Sequence, residues 1–187
     1  SGAFAIVAIT RLGNAARVGE ALRKQQRTPE ETAAEHALED AEAQARKRDA
    51  IAGVLAHAPA LAAVLNPTIN SYKRFGPDTL APWLIDWGMD NRSTMVRIPP
   101  ERGSAARMEV RLGDATANPY LAMAAVAAAI YLGVRDGLEP PAPLEGYGYD
   151  PESAPMLPMN LSDALDALEQ DKELGEVLGE YFVTSFL

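Results

Sequence analysis

The chain has 187 residues, a formal net charge of −9 and no cysteine. That charge, with a pI near 4.7, argues against a nucleic-acid partner, because no broad basic face balances the acids. Without cysteine there is neither a disulfide nor a thiolate metal site. No run approaches the roughly 18 consecutive apolar residues of a membrane span, so no membrane partner is expected and a cytoplasmic location fits best.

Ser1, rather than Met, opens the sequence, as expected of a processed chain or a piece of a longer one. Ala3–Ile9 reads as a short buried strand, too short and too poor in preceding basic residues for a signal peptide. From Pro29 to about Leu65 the composition turns rich in Ala, Glu and Arg, as helices are. Thr28 before Pro29, with Glu31 three residues beyond, predicts a capping box and a proline at the first helical position. Arg46-Lys47-Arg48 reads as a solvated face. Ile51, Val54, Leu55, Ala58, Leu61 and Leu65 recur at helical spacing and predict a core-facing stripe. Pro59 predicts a break near His57. The histidines His36 and His57 read as ordinary helical side chains, His57 as a packing or hydrogen-bonding residue. Residues 1–50 are treated as a helical N-terminal segment and 51–187 as a separate region.

Trp83–Gly88 and Thr94–Ile98 are apolar, β-prone runs joined by the turn-forming Asp90-Asn91-Arg92-Ser93. Pro99–Ser104 breaks the chain before Arg107-Met108-Glu109-Val110-Arg111. Read as a strand, these five residues send Arg107, Glu109 and Arg111 to one face and Met108 and Val110, with Leu112, to the other. A hairpin-like return would gather Arg92, Arg97, Arg107 and Arg111 near Glu109. Such a cluster suits anionic oxygens and a cation, since a guanidinium grips carboxylate or phosphate in two-pronged fashion. Asn118 and Pro119 predict an N-cap and first residue for a helix running to about Arg135, apolar on nearly every side and therefore buried, with Gly133 and Gly137 at its end. Glu139–Pro158 reads as a loop. Asn160 or Ser162 caps a final helical pair that Gly179 weakens. The fold class predicted is α+β: antiparallel strands from Trp83 to Leu112 backed by helices.

Asn66-Pro67-Thr68-Ile69-Asn70-Ser71-Tyr72-Lys73-Arg74, Ala81-Pro82, Trp87-Gly88, Asn91-Arg92-Ser93, Arg97-Ile98-Pro99, Glu109-Val110-Arg111 and Ala117–Ala122 resemble, in order and spacing over about 55 residues, the C-terminal half of the glutamine synthetase catalytic domain. The likeness weakens but continues over Ala52–Leu65 and on to Leu187. It implies a partial catalytic domain of an ATP-dependent ligase, in which ATP phosphorylates the side-chain carboxylate of glutamate and an amine displaces the phosphate. By the same resemblance, Arg74 and Arg111 hold glutamate. Arg92, Arg97 and Arg107 lie near ATP and the transferring phosphoryl group, with Arg92 as the catalytic residue, and Glu109 ligates Mg2+ or Mn2+. The family's rings imply a homo-oligomeric parent protein.

Two departures stand out. Ammonia-using members carry a glutamate two residues before the proline of the loop that here runs Phe75–Pro82. Leu80 takes that place, so the loop resembles members that use larger amines, such as polyamines; Asp78 reads as a turn residue. A lysine usual before the metal glutamate is replaced by Ser104 and Ala105. The family's other metal-binding glutamates, its metal-site histidine and its small N-terminal β domain are not found in residues 1–50. At this point a segment of an amine ligase, an inactive glutamine synthetase-like binding module and a purely structural helical domain all remain open.

Overall fold

The computed structural model describes residues 28–77, 79–101 and 105–187. The predicted strand Ala3–Ile9, Asp78, Ser104 and the side chains of Glu31 and His36 lie outside the described residues. The chain divides into two compact units, Ser1–Ala43 and Gln44–Leu187. The first contributes the opening of helix α1, Pro29–Ala56, which starts at the proline predicted for its first position. Arg46, Lys47 and Arg48 are exposed, as a solvated face requires.

The second unit carries the core. Its chain turns by 71° at His57, and α2 follows as Ala58–Leu65 with Pro59 in its first turn. Pro59 has no N–H to continue the ladder of α1, so the break falls where the sequence predicted it. Six of the eight α2 residues are at most 1% exposed. α2 packs chiefly on α4, Leu161–Gln170, and also on α3, Pro119–Asp136. α3 is capped by Asn118, whose side chain accepts from the N–H groups of Tyr120 and Leu121, and ends at Gly137 in the left-handed conformation (φ 60°). Both ends follow the sequence rule, because caps are satisfied locally. Gly133 has a different role from the one predicted: it lies against Gly53 of α1. A Cβ on Gly53 would come 2.8 Å from the Cα of Gly133, and one on Gly133 would come 2.7 Å from that of Gly53. The helices therefore meet backbone to backbone.

α3 also departs from the expectation that it is buried all round. Ala125, Ala128, Ala129, Leu132 and Gly133 are buried, whereas Tyr120, Met123, Tyr131 and Val134 are exposed. Composition predicted burial on every side, but the described residues bring neighbours to one side only. After it, α4 is capped by Asn160, which accepts from the Asp163 N–H at 2.9 Å. The predicted final pair is three helices, α4, α5 (Lys172–Leu178) and α6 (Glu180–Phe186), because Gly179 at φ 94° separates the last two.

Three short strands form one sheet in the order β1–β2–β3: Trp87–Met89, Val96–Ile98 and Glu109–Val110. β2 and β3 are antiparallel, with Arg97 opposite Glu109. That pair bears out the hairpin-like return expected across Pro99–Ser104, but β1 and β2 correct the expectation of antiparallel strands throughout: they run parallel, Trp87 beside Val96 and Met89 beside Ile98. A parallel return normally needs a long crossover. Here each strand advances only about 7 Å from its first to its last residue, so the loop Asp90–Met95 can bring the chain back to its starting level. Asp90 turns it at φ 47°, Asn91 Oδ1 accepts from the Ser93 N–H at 3.0 Å, and Thr94 Oγ1 donates to the Asn91 carbonyl at 2.9 Å. The class remains α+β. The loop Glu139–Pro158 lies along β1 and its approach: Leu144 N–H donates to the Trp87 carbonyl, Leu157 N–H to that of Trp83, and Ile85 N–H to that of Pro155.

Candidate active site

The five predicted arginines separate into two groups and one outlier. Arg97 and Arg107 close on Glu109 from either side. Arg97 Nη1 donates to Glu109 Oε2 at 2.8 Å, and Arg107 Nε to Glu109 Oε1 at 3.0 Å. Arg97 reaches on to Asp90 and Arg107 to Glu101 at 3.2 Å, so acids and bases alternate across the strands. Hydrogen bonds from Arg97, then from Arg107, hold the Glu109 carboxyl below the usual carboxylate range. The hydrogen bond to Asp90, then that to Glu109, raises the Arg97 guanidinium.

Arg74 and Arg111 form the second group. Arg74 ends a 3-10 helix, Ile69–Arg74, fixed at its start by a Thr68–Ser71 capping box. Within it, Tyr72 Oη donates to the Ala62 carbonyl at 3.2 Å. Arg74 then donates from Nη1 to the Gly113 carbonyl at 3.0 Å and from Nη2 to that of Leu112 at 3.2 Å. Burial, and the nearby Arg111 charge, lower its guanidinium, while Asp114 works the other way. Burial pushes the Asp114 carboxyl up, but hydrogen bonds from Ser71 and Thr116 and the Arg74 charge outweigh it and leave it lowered. Arg111 donates from Nη1 to the Thr94 carbonyl at 2.9 Å and from Nη2 to that of Leu80 at 3.4 Å. Two cations thus share one neighbourhood without a carboxylate among the described residues bonded to either. Arg92 stands apart: it is exposed and lines an open cleft of about 570 Å³ with Asp90, Glu145 and Gly146. The sequence expectation of four arginines around Glu109 becomes two, Arg97 and Arg107, because Arg111 turns to backbone carbonyls.

Leu80 is 77% exposed at φ 62°, a left-handed conformation that a γ-branched residue rarely adopts. It occupies the loop whose carbonyl meets Arg111.

For a divalent cation the described residues fall short. Glu109 is the one carboxylate between the two arginines, and each of its oxygens already accepts from a guanidinium. Among the described residues, no three His, Cys, Asp or Glu side chains come together as a metal group. Glu109 by itself does not make a metal site.

Asp86 is a residue the sequence reading passed over. It is 4% exposed, with Oδ1 accepting the Met95 N–H at 2.7 Å. Its Oδ2 has no partner, a condition shared among the described residues by both amide atoms of Asn66 and by Trp83 Nε1. Burial raises its carboxyl to about 6, against the lowering effects of the Met95 N–H and the Arg111 charge. One signal was present: an acid placed between Ile85 and Trp87 inside an otherwise apolar run.

Residues 27–187 match the family model "Glutamine synthetase, catalytic domain". The chain is 44% identical over 144 residues to a glutamine synthetase of Thermotoga maritima, covering 73% of this chain and 33% of that protein. It is 47% identical over 136 residues to one of Pyrococcus horikoshii, covering 69% and 31%. Among solved structures, GmaS without ligand is similar at 41% identity and a TM-score of 0.67, covering 76% of this chain and 32% of that one. A GmaS/ADP complex is similar at 38% identity and a TM-score of 0.68, covering 76% and 34%. The chain spans about a third of the length of the relatives it matches. With an Arg97–Glu109–Arg107 cluster on a small sheet, a second arginine pair beside Asp114 and this match over most of its length, the chain belongs to the glutamine synthetase catalytic-domain family.

Proposed function

We propose that this chain supplies the arginine-bearing part of an ATP-dependent ligase that joins the γ-carboxylate of glutamate to an amine. The observation that carries this reading is the division of the arginines into two sets with different surroundings. Arg74 and Arg111 stand together with no carboxylate among the described residues bonded to them, as suits the carboxylates of a glutamate substrate. Arg97 and Arg107 meet on Glu109, and Arg92 lines the adjoining cleft, as suits the polyphosphate of ATP. That a similar solved structure is a GmaS/ADP complex supports a nucleotide as ligand.

In the proposed reaction, a γ-carboxylate oxygen of glutamate attacks the terminal phosphorus of ATP and ADP leaves, giving γ-glutamyl phosphate. The amine then attacks the acyl carbon, phosphate leaves, and the nitrogen gives up a proton. Arg92, Arg97 and Arg107 would offset the negative charge on the transferring oxygens, the largest contribution a protein makes to such a transfer. Arg74 and Arg111 would hold the acceptor carboxylate in line. No step is assigned to a cation: Glu109 could give Mg2+ or Mn2+ one oxygen, and the remaining ligands would have to come from outside this chain. A homo-oligomer that completes the site belongs to the same proposal.

Leu80 points to the acceptor. Ammonium needs an acidic group to attract it and a base to free its lone pair; an exposed leucine offers neither, but it can lie along the methylenes of a longer amine. A protein completed with the section its relatives have beyond this chain should release phosphate from ATP and glutamate faster with an alkylamine or a polyamine than with ammonium at matched concentration. Faster release with ammonium would overturn the acceptor assignment, and no glutamate-dependent release with any amine would overturn the ligase. The second reading, an inactive binding module, predicts nucleotide binding to the completed protein with no phosphate release.

A further inference from the structure

We propose that Asp86 is a positioning residue for Arg111, acting through the single peptide unit that joins Thr94 to Met95. The inference rests on the reading above only in taking Arg111 as a guanidinium that receives a substrate carboxylate.

The geometry is a three-part relay. Asp86 Oδ1 accepts the Met95 N–H at 2.7 Å. The carbonyl of the same peptide unit belongs to Thr94, and it accepts from Arg111 Nη1 at 2.9 Å. A carboxylate on one end of a peptide and a guanidinium on the other polarise it in the same sense, so each hydrogen bond strengthens the other. The unit is held rigidly. Thr94 is fully buried, and its one hydroxyl proton is shared between the Asn91 and Val96 carbonyls. Arg111 N–H donates to the Met95 carbonyl at 2.8 Å, so the next peptide is clamped to the same strand.

A neutral acceptor would serve the Met95 N–H equally well without the cost of burying a charge. Asp86 is 4% exposed, and its Oδ2 has no hydrogen bond. Close by on that side is the 146–149 segment, where a Cβ on Gly148 would sit 2.9 Å from Oδ2. A lone buried carboxylate is a poor choice for pinning a loop and a suitable one for orienting a cation. The charged and titratable groups that face it are Arg111 and Tyr149: Arg111 favours its ionised form, and Tyr149 is raised by burial first and then, among smaller influences, by Asp86. Ionised Asp86 therefore draws electron density toward the Thr94 oxygen and holds Nη1 of Arg111 there; Nη2 reaches the Leu80 carbonyl only at 3.4 Å, and the N–H groups not engaged by these two carbonyls are left to a ligand.

The test follows the side-chain ¹⁵N–¹H signal of Arg111 in the 187-residue chain, assigned with Arg111→Lys, between pH 4.5 and 8. The expected signal shifts with a midpoint near 6, the value to which burial raises Asp86; the midpoint survives in Tyr149→Phe and vanishes in Asp86→Asn, which keeps an oxygen for the Met95 N–H. L-glutamate is then titrated into the completed protein and into its Asp86→Asn variant, and its affinity should be about tenfold weaker in the variant. A wild-type Arg111 signal that does not move across this range overturns the proposal without needing any variant to fold. So does a midpoint retained in Asp86→Asn. An Arg111 signal that follows Asp86, with L-glutamate bound equally well by the completed protein and by its Arg111→Lys variant, supports the positioning role and removes Arg111 from the ligase reading, so the two failures are distinct.

Discussion

The crossing of α1 and α3 and the segment from Asn66 to Asp114 lie in the same compact unit yet are built in opposite ways. At the crossing, Gly53 and Gly133 let two backbones touch, and the surrounding side chains are apolar and buried. The segment instead gathers arginines and acids, and every buried polar atom without a partner among the described residues falls between Asn66 and Asp86. Buried polar atoms are nearly always paired, so the unpaired ones mark where this chain gives up stability. The contrast teaches that the helices keep the fold while the 66–114 segment concentrates the charged groups that the proposed function assigns to substrates. Substitutions on the two sides should accordingly differ in what they disturb.

The largest effect is expected at the crossing. Gly133→Leu drives a side chain into the backbone of α1 and should cost more than about 4 kcal/mol, enough to unfold a marginal domain. Urea denaturation checks it, and a loss under about 1 kcal/mol would show that the helices can separate freely.

Next is the pH dependence set by Asp86. Its folded carboxyl is raised from 3.8 to about 6, so between these values the folded state holds a proton that the unfolded state has lost. This contribution is fully present below 3.8 and is lost as pH rises through 6, at most roughly 3 kcal/mol over the window. Asp86→Asn should flatten that part of a stability-versus-pH curve and be the more stable protein at pH 8. An unchanged slope would mean that Asp86 is not a lone buried charge.

A smaller change is expected at His57, whose Nδ1 lies 2.7 Å from Asp171 Oδ2. Asp171 also caps α5 by accepting the Leu174 N–H at 3.0 Å, so the pair ties the α1–α2 bend to the α4–α5 junction. His57→Ala should cost about 1–3 kcal/mol at neutral pH. Burial raises the Asp171 carboxyl, but the hydrogen bond with His57 and the Leu174 N–H outweigh it and leave it lowered. Its contribution is therefore present above the ordinary carboxylate range and fades as pH falls through the depressed value. In thermal melts of both proteins, the difference between them should shrink as pH is lowered from 7 through the acid range.

The smallest effect on stability, and the sharpest on binding, belongs to Arg97→Lys. Lysine keeps the charge but loses the fork that reaches Asp90 and Glu109 together. Its unfolding midpoint should match that of the parent, while affinity of the completed protein for a non-hydrolysable ATP analogue drops. Equal affinity would make Arg97 a surface ion pair and nothing more.

The sequence by itself determined whatever depends on a few adjacent residues. Asn118 with Pro119, Gly137 and Pro59 mark helix ends, and Asn160 is one of the two caps the sequence offers for α4, because a cap or a missing N–H is satisfied or felt within one turn; that Gly179 splits the last helix rather than only weakening it was decided in the fold. The alternation in Arg107–Arg111 likewise told that Arg107 and Glu109 share a face. Tertiary structure decided what depends on chain closure and burial. The parallel register of Trp87–Met89 on Val96–Ile98 follows from how the Asp90–Met95 loop closes, and the meeting of Gly133 with Gly53 from a helix 80 residues away. Arg111 turned from Glu109 to the Thr94 carbonyl, and Asp86 became a buried charge rather than a strand residue, for the same reason: the environment of a side chain is set by segments far off in sequence, and solvent exclusion, unlike a cap, has no local spelling.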